Sequence, residues 1–180
     1  MTSRAFRVPT RVLKLKPLLV RQAMLPSGWR PAGENPDVRT VFRGRTEAQI
    51  AAIRTDLRRF LQLTYAGPRG GQWLTTEGYV YRDAAAAQRG LEAVLDVAKS
   101  RGPIETARAF QFQTLPLPAD LQAKGLLVTT TADGVERAFQ FWCWRQVNMV
   151  FCNRTPATES YLLPQVTNQQ LAIIKRNVLR

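Results

Sequence analysis

The sequence predicts an α+β fold: an antiparallel β-sheet of hairpins and meander, flanked by amphipathic helices, with a basic N-terminal arm. Three observations predict it. Helical and strand-like segments interleave without βαβ regularity, two helical segments carry their own start signals, and the most apolar part of the chain reads as strand, tight turn, strand. With 180 residues, 45% apolar and 22% charged types, the composition is that of an ordinary globular domain. The expected division is a basic arm over residues 1–30 and a single α+β domain over residues 31–180.

The arm is expected from charge. Arg4, Arg7, Arg11, Lys14, Lys16, Arg21 and Arg30 precede the first acidic residue, so they supply +7 of the formal net charge of +13. From residue 61 onward 13 cations meet 9 acids and the balance is nearly even. Such a stretch neutralises phosphates or anionic headgroups, or docks on an acidic protein surface. Lys14 and Lys16 alternate with Leu13 and Leu15, which also fits an edge strand. Residues 18–20 are apolar but Arg21 and Gln22 follow at once, short of the roughly 7 to 15 residues of a signal-peptide core. No apolar run approaches the roughly 20 residues of a membrane-spanning helix. The compartment stays open, cytoplasmic or exported with the precursor signal removed.

Pro26, Ser27, Gly28, Pro31, Gly33 and Pro36 form dense turn chemistry between arm and body. Residues 38–42 alternate weakly and read as a short strand. Thr46 with Gln49 has capping-box form, and Ile50, Ile53, Leu57, Phe60, Leu61 and Tyr65 then recur at helical spacing up to Gly67-Pro68. One helix over residues 46–65 is the expectation. It would set Arg54 and Arg58, with Arg59 beside them, along one face, a candidate phosphate-contacting stripe or a solvated surface.

Aromatic and β-branched residues make residues 72–81 a strand. Gly70 and Gly71 before it lack the Lys-Ser/Thr of a phosphate loop and read as a turn. Asp83 is the expected N-cap of a helix over residues 84–99, whose buried stripe is Ala87, Leu91, Val94, Leu95 and Ala98, stopped by Gly102-Pro103. Residues 109–117 alternate as a strand, with Pro116 and Pro118 keeping its end from the middle of a sheet. Residues 126–131 and 135–144 flank Asp133-Gly134, a hairpin turn, and residues 147–152 are again strand-like. Thr167 and Gln170 suggest a capping box for a C-terminal helix ending in Lys175, Arg176 and Arg180.

Cys143 and Cys152 are the only cysteines. A two-residue turn at Arg145-Gln146 offsets them by four residues, about 13 Å, beyond disulfide reach. Two free core thiols follow from that register, which is the expected one. A longer loop centred on Val147-Asn148 would place the sulfurs opposite each other, allow a bridge and argue for export. Trp142 and Trp144 face away from Phe139, Phe141 and Cys143, so both faces of this sheet need cover. Core packing explains these aromatics more simply than base stacking does.

Histidine is absent. The commonest general base and metal ligand are therefore missing together, and two cysteines cannot complete a thiolate metal site within one chain. Glu105, Asp120, Asp133 and Glu136 show no paired spacing for a two-carboxylate mechanism. No enzymatic activity, cofactor or metal is expected.

Residues 25–29 (Leu-Pro-Ser-Gly-Trp), 79–87 (Tyr-Val-Tyr-Arg-Asp followed by four alanines) and the hairpin of residues 134–153 together resemble the PsbP-like fold family. The resemblance implies an antiparallel sheet flanked by helices and a docking or accessory role rather than catalysis. It carries over no binding residue. Unlike exported members, this chain has no lipid-attachment cysteine near its start.

The function expected from these readings is a non-catalytic binding module. It docks through Arg4, Arg7, Arg11, Lys14, Lys16 and Arg21 on an acidic protein complex or an anionic membrane surface. The alternative is a nucleic-acid-binding protein contacting phosphates through the arm and Arg54, Arg58 and Arg59.

Overall fold

The computed structural model describes residues 14–42, 44–100, 107–117, 123–132 and 135–178. Several residues named above lie outside them: Arg4, Arg7, Arg11, Leu13, Gly102, Pro103, Glu105, Pro118, Asp120, Asp133, Gly134 and Arg180. Among the described residues seven strands form one antiparallel sheet: β1 (Arg30–Asn35), β2 (Leu57–Ala66), β3 (Trp73–Tyr81), β4 (Ala107–Leu115), β5 (Ala123–Ala132), β6 (Val135–Gln146) and β7 (Met149–Pro156). Their order is β1-β2-β3-β7-β6-β5-β4. The helices are α1 (Val38–Val41), α2 (Glu47–Arg54), α3 (Ala84–Lys99) and α4 (Leu162–Val178). The α+β class and the antiparallel sheet are as the sequence predicts.

Side-chain alternation along the strands builds two cores, one on each face. On the first, Leu61, Leu63, Leu74, Trp142, Trp144, Met149 and Phe151 pack against Leu162, Leu163, Val166, Ile173 and Ile174 of α4. On the second, Tyr79, Tyr81, Phe141, Val150 and the two cysteines pack against Leu91, Val94 and Leu95 of α3 and Ile50 and Ile53 of α2. Trp142 and Trp144 are 6% and 1% exposed, so the hairpin aromatics are core.

Residues 15–29, inside the stretch expected as an arm, are part of the first core. Leu18, Leu19 and Val20 are at most 2% exposed, with Met24 and Trp29 also buried. This stretch contains two short 3-10 turns, Lys16–Leu18 and Gln22–Met24, rather than an edge strand. Its leucines find the sheet while its cations stay out: Lys14, Lys16 and Arg21 are exposed, and Lys16 pairs with Glu34 of β1. The Val20 carbonyl accepts the Tyr65 hydroxyl at 2.7 Å, tying the strap to β2.

The helix expected over residues 46–65 is half helix and half strand. Its capping box forms as read, Thr46 Oγ1 accepting from the Gln49 N–H and Gln49 Oε1 from the Thr46 N–H. The chain then turns at Asp56 in the left-handed region, φ 62°, where Arg82 and Arg89 hold its carboxylate at 2.8 and 3.0 Å. Beyond it Leu61, Leu63 and Tyr65 bury at a period of two, the strand signature that the longer helical spacing masks.

Residues 38–42, expected as a strand, start with helix α1, capped by Asp37 accepting from the Arg39 N–H. The turn-rich residues 30–35 form β1, an edge strand whose Pro31 and register shift before Gly33 suit an edge. α3 is as expected, Asp83 accepting from the Ala86 N–H at 2.8 Å. The C-terminal helix begins five residues before Thr167. That residue is buried within α4 and, with Gln170, accepts a hydrogen bond from Asn153 Nδ2 instead of capping.

Candidate functional site: a cleft floored by Arg154

The β6–β7 turn fixes the register of the site. It is formed by Val147 and Asn148, with Val147 left-handed at φ 54°, and Gln146 pairs with Met149. Cys143 therefore faces Cys152 at a Cα separation of 4.2 Å, and the two are joined by a disulfide. The expected free thiols and the Arg145-Gln146 turn are thus corrected. Asn148 decides the turn: its amide donates to the Tyr81 carbonyl at 2.8 Å, and its own carbonyl accepts the Tyr81 N–H at 2.9 Å. These two hydrogen bonds tie the turn to the end of β3.

The same register aligns the rows of side chains under the helices. Glu77 lies opposite Cys152, and Arg154 opposite Thr75, which in turn faces Thr64. α2 and α3 cover the Tyr79 and Tyr81 end of this face. Towards Trp73 the sheet carries a cleft of about 330 Å³ lined by Thr64, Trp73, Thr75, Phe139 and Arg154.

Arg154 is the centre of the cleft. Its guanidinium carbon stands 5.6 Å from the Trp73 ring centroid and 6.0 Å from that of Phe139, within cation–π range of both. Behind it Glu77 is 2% exposed, its Oε1 4.0 Å from Arg154 Nη2. Each oxygen of that carboxylate also accepts one hydrogen bond, Oε1 from Gln62 Nε2 at 2.9 Å and Oε2 from the Tyr79 hydroxyl at 2.6 Å. Burial and then Glu77 push the Tyr79 phenol well above its ordinary pKa, so it stays a donor. The Arg154 Nε is buried and has no hydrogen-bond partner among the described residues.

A second arginine, outside the cleft lining, is partly buried on the α-helical side. Arg45, in the α1–α2 connection, donates Nη1 to the Ser100 carbonyl at 2.9 Å and so anchors the end of α3. Burial and then the charge of Arg154 lower its pKa. Within the cleft itself, Arg154 meets the buried Glu77 carboxylate only at 4.0 Å and keeps an Nε–H unpaired among the described residues. Carboxylate or phosphate oxygens fit such donors, because guanidinium geometry matches both.

Sequence reasoning missed Arg154, Glu77 and Arg45. The one legible signal was a glutamate in an aromatic strand, Glu77 within residues 73–81, where a carboxylate is buried only with partners. Of the residues that reasoning singled out, Lys14, Lys16 and Arg21 lie on the strap's outer side. Arg54 ends α2 while Arg58 and Arg59 open β2, so they share no helix face. The turn at Asp56 nevertheless gathers all three around a separate pocket of about 260 Å³, with Asp37 and Phe60.

Among the described residues no cluster of three metal-ligating side chains occurs, and no helix is long and apolar enough to cross a membrane. No family model matches the sequence, and no curated protein matches it significantly. Among solved structures, the chain is similar to the extracellular domain of PknH from Mycobacterium tuberculosis, with a TM-score of 0.58 at 10% identity, over 87% of this chain and 94% of that one. At that identity the likeness is one of fold.

Proposed function

We propose that this protein is a non-catalytic binding module whose cleft takes the anionic end of a small amphipathic ligand, an aromatic carboxylate or phosphate ester being the simplest chemistry. The observation that carries the reading is Arg154, framed by two aromatic rings, backed by a buried carboxylate already hydrogen-bonded to Gln62 and Tyr79, and holding a buried N–H without a partner among the described residues. The ligand's anion meets the guanidinium and its apolar part lies against Trp73 and Phe139. Two features favour work outside the reducing cytoplasm: the fully buried Cys143–Cys152 bridge, and the extracellular origin of the PknH domain that shares the fold.

Titration calorimetry with benzoate and phenyl phosphate tests the cleft. Saturable binding by the wild type, weakened at least about tenfold by Arg154→Met as a charge-assisted hydrogen bond is lost, supports it. Absence of saturable binding to either probe, or equal binding by Arg154→Met, overturns it.

A second reading concerns docking. The strap buries its leucines and presents Lys14, Lys16 and Arg21, continuing the basic sequence of Arg4, Arg7 and Arg11, which suits attachment to an acidic complex or an anionic membrane. The resemblance to the PsbP-like family implies the same kind of role.

A further inference from the structure

We propose that the end of the sheet formed by the start of β2, the end of β3 and the β6–β7 turn is the face that lies on an anionic lipid bilayer. This rests on the docking reading and gives it a place on the molecule. Arg54, Arg58 and Arg59 wall the pocket at this end. Arg82 and Arg89 flank Asp56, and Arg145 donates to the Val147 carbonyl in the β6–β7 turn. Strand pairing puts these groups together, because Leu57 lies opposite Tyr81, and the Tyr81 N–H reaches the Asn148 carbonyl.

The acids at this end are occupied. Asp56 is held by Arg82 and Arg89, Asp83 caps α3 and meets Arg82, and Asp37 caps α1. Six arginines against these three aspartates and Glu92, one turn beyond Arg89 on α3, leave an excess of two positive charges, with Arg54, Arg58 and Arg145 exposed. Lys16 pairs with Glu34, two residues before Pro36, which is itself part of the pocket wall.

Breadth decides the kind of partner. The cations come from α2, β2, the β3–α3 connection, α3 and β6: Arg54, Arg58 and Arg59 share one pocket, Arg82 and Arg89 meet at Asp56, and Arg145 stands on the β6–β7 turn, so positive charge continues beyond the pocket and suits a layer of headgroups. Nucleic acid is the competing polyanion. Among the described residues the exposed large apolar side chains Phe112, Val135 and Tyr161 belong to other parts of the fold, and the aromatic ring at this end, Phe60, is half-buried in the pocket wall, a poor platform for single-stranded bases. The buried disulfide favours a compartment where nucleic acid is scarce and membrane surface is not.

The test is co-sedimentation of the full chain with phosphatidylcholine vesicles, with and without phosphatidylglycerol. Binding is expected only with the anionic lipid and is expected to fall with salt. Arg54→Gln with Arg58→Gln should weaken it by about twentyfold, near fivefold for each cation at the surface. Arg54→Lys with Arg58→Lys should restore it, because a headgroup layer reads charge rather than guanidinium shape. Unchanged melting of all variants shows the loss to be electrostatic.

Three results overturn the assignment. If Arg4→Gln, Arg7→Gln and Arg11→Gln together abolish vesicle binding while the Arg54 and Arg58 pair does not, docking survives but belongs to the N-terminal stretch. If the wild type ignores anionic vesicles, docking on a bilayer fails altogether. If duplex DNA binds more tightly than the vesicles at equal salt, the face is a nucleic-acid surface.

Discussion

Gly90 and Tyr81 compete for one space: a β-carbon on Gly90 would stand 2.1 Å from Tyr81 Cζ and 2.3 Å from its hydroxyl oxygen. Glycine is what lets α3 lie against β3 while the tyrosine, fully buried, donates to the Ile53 carbonyl at 3.1 Å and so ties α2 to the sheet. Gly90→Ala is expected to destabilise the fold by about 1–3 kcal/mol or more, the usual range for overpacking. Gly90→Ala with Tyr81→Phe should recover only part of it, since Cζ itself is in the way. Urea unfolding of the three proteins measures both effects.

The buried bridge closes a short loop. Cys143 and Cys152 are nine residues apart, for which the chain-entropy estimate is about 2.5–3 kcal/mol. Cys143→Ala with Cys152→Ala should lose about that much in chemical unfolding. Reduction of the native protein should be slow without denaturant, because both cysteines are 0% exposed. Rapid labelling of native, unreduced protein by a thiol reagent would contradict the bridge.

The strap is structural. Leu19 is 0% exposed, its Cδ2 beside Gly78 on the face where a β-carbon would meet it at 3.0 Å. Leu19→Ala is expected to cost about 2–5 kcal/mol, and Gly78→Ala to be felt through the same contact. Removal of residues 1–25 takes Leu15, Leu18, Leu19, Val20 and Met24 from the core together. That truncation should lose its cooperative thermal transition; a normal melt would show the strap to be dispensable.

Alkaline pH should loosen the second core. Burial raises the Tyr81 phenol, and burial followed by Glu77 raises that of Tyr79. A pKa raised in the folded state contributes stability that is complete below the ordinary tyrosine value of about 10 and is lost as pH climbs towards the folded value. The melting temperature should therefore fall above pH of about 10. Tyrosinate absorbance at high pH should include a portion that appears only on unfolding, and Tyr81→Phe should reduce that portion and flatten the pH dependence.

How much of this was legible follows from where the deciding forces are local. Asp83 capping α3 and the alternating residues of β3, β5 and β6 rest on signals within a few residues, and all are present in the sequence. The break at Asp56 is different. Its left-handed turn is held by Arg82 and Arg89, far along the chain, while the local spacing of Ile53, Leu57, Phe60 and Leu61 reads as a helix. The cysteine register failed for a like reason, since Asn148 chooses the turn by bonding to Tyr81. Arg154 carries no motif at all and Glu77 only the oddity of a carboxylate in an aromatic strand, because pairing between β3 and β7 alone brings them together.

The strand order has a final consequence. Every neighbouring pair is consecutive in sequence except β3 with β7, so the sheet is two meanders sewn along a single seam. The covalent link lies wholly within the later meander, between β6 and β7, and does not cross that seam. Mechanical pulling or mild denaturant should thus part the molecule between β3 and β7 even with the thiols oxidised, and the cleft, which straddles the seam through Thr75 and Arg154, would be the first feature to disappear.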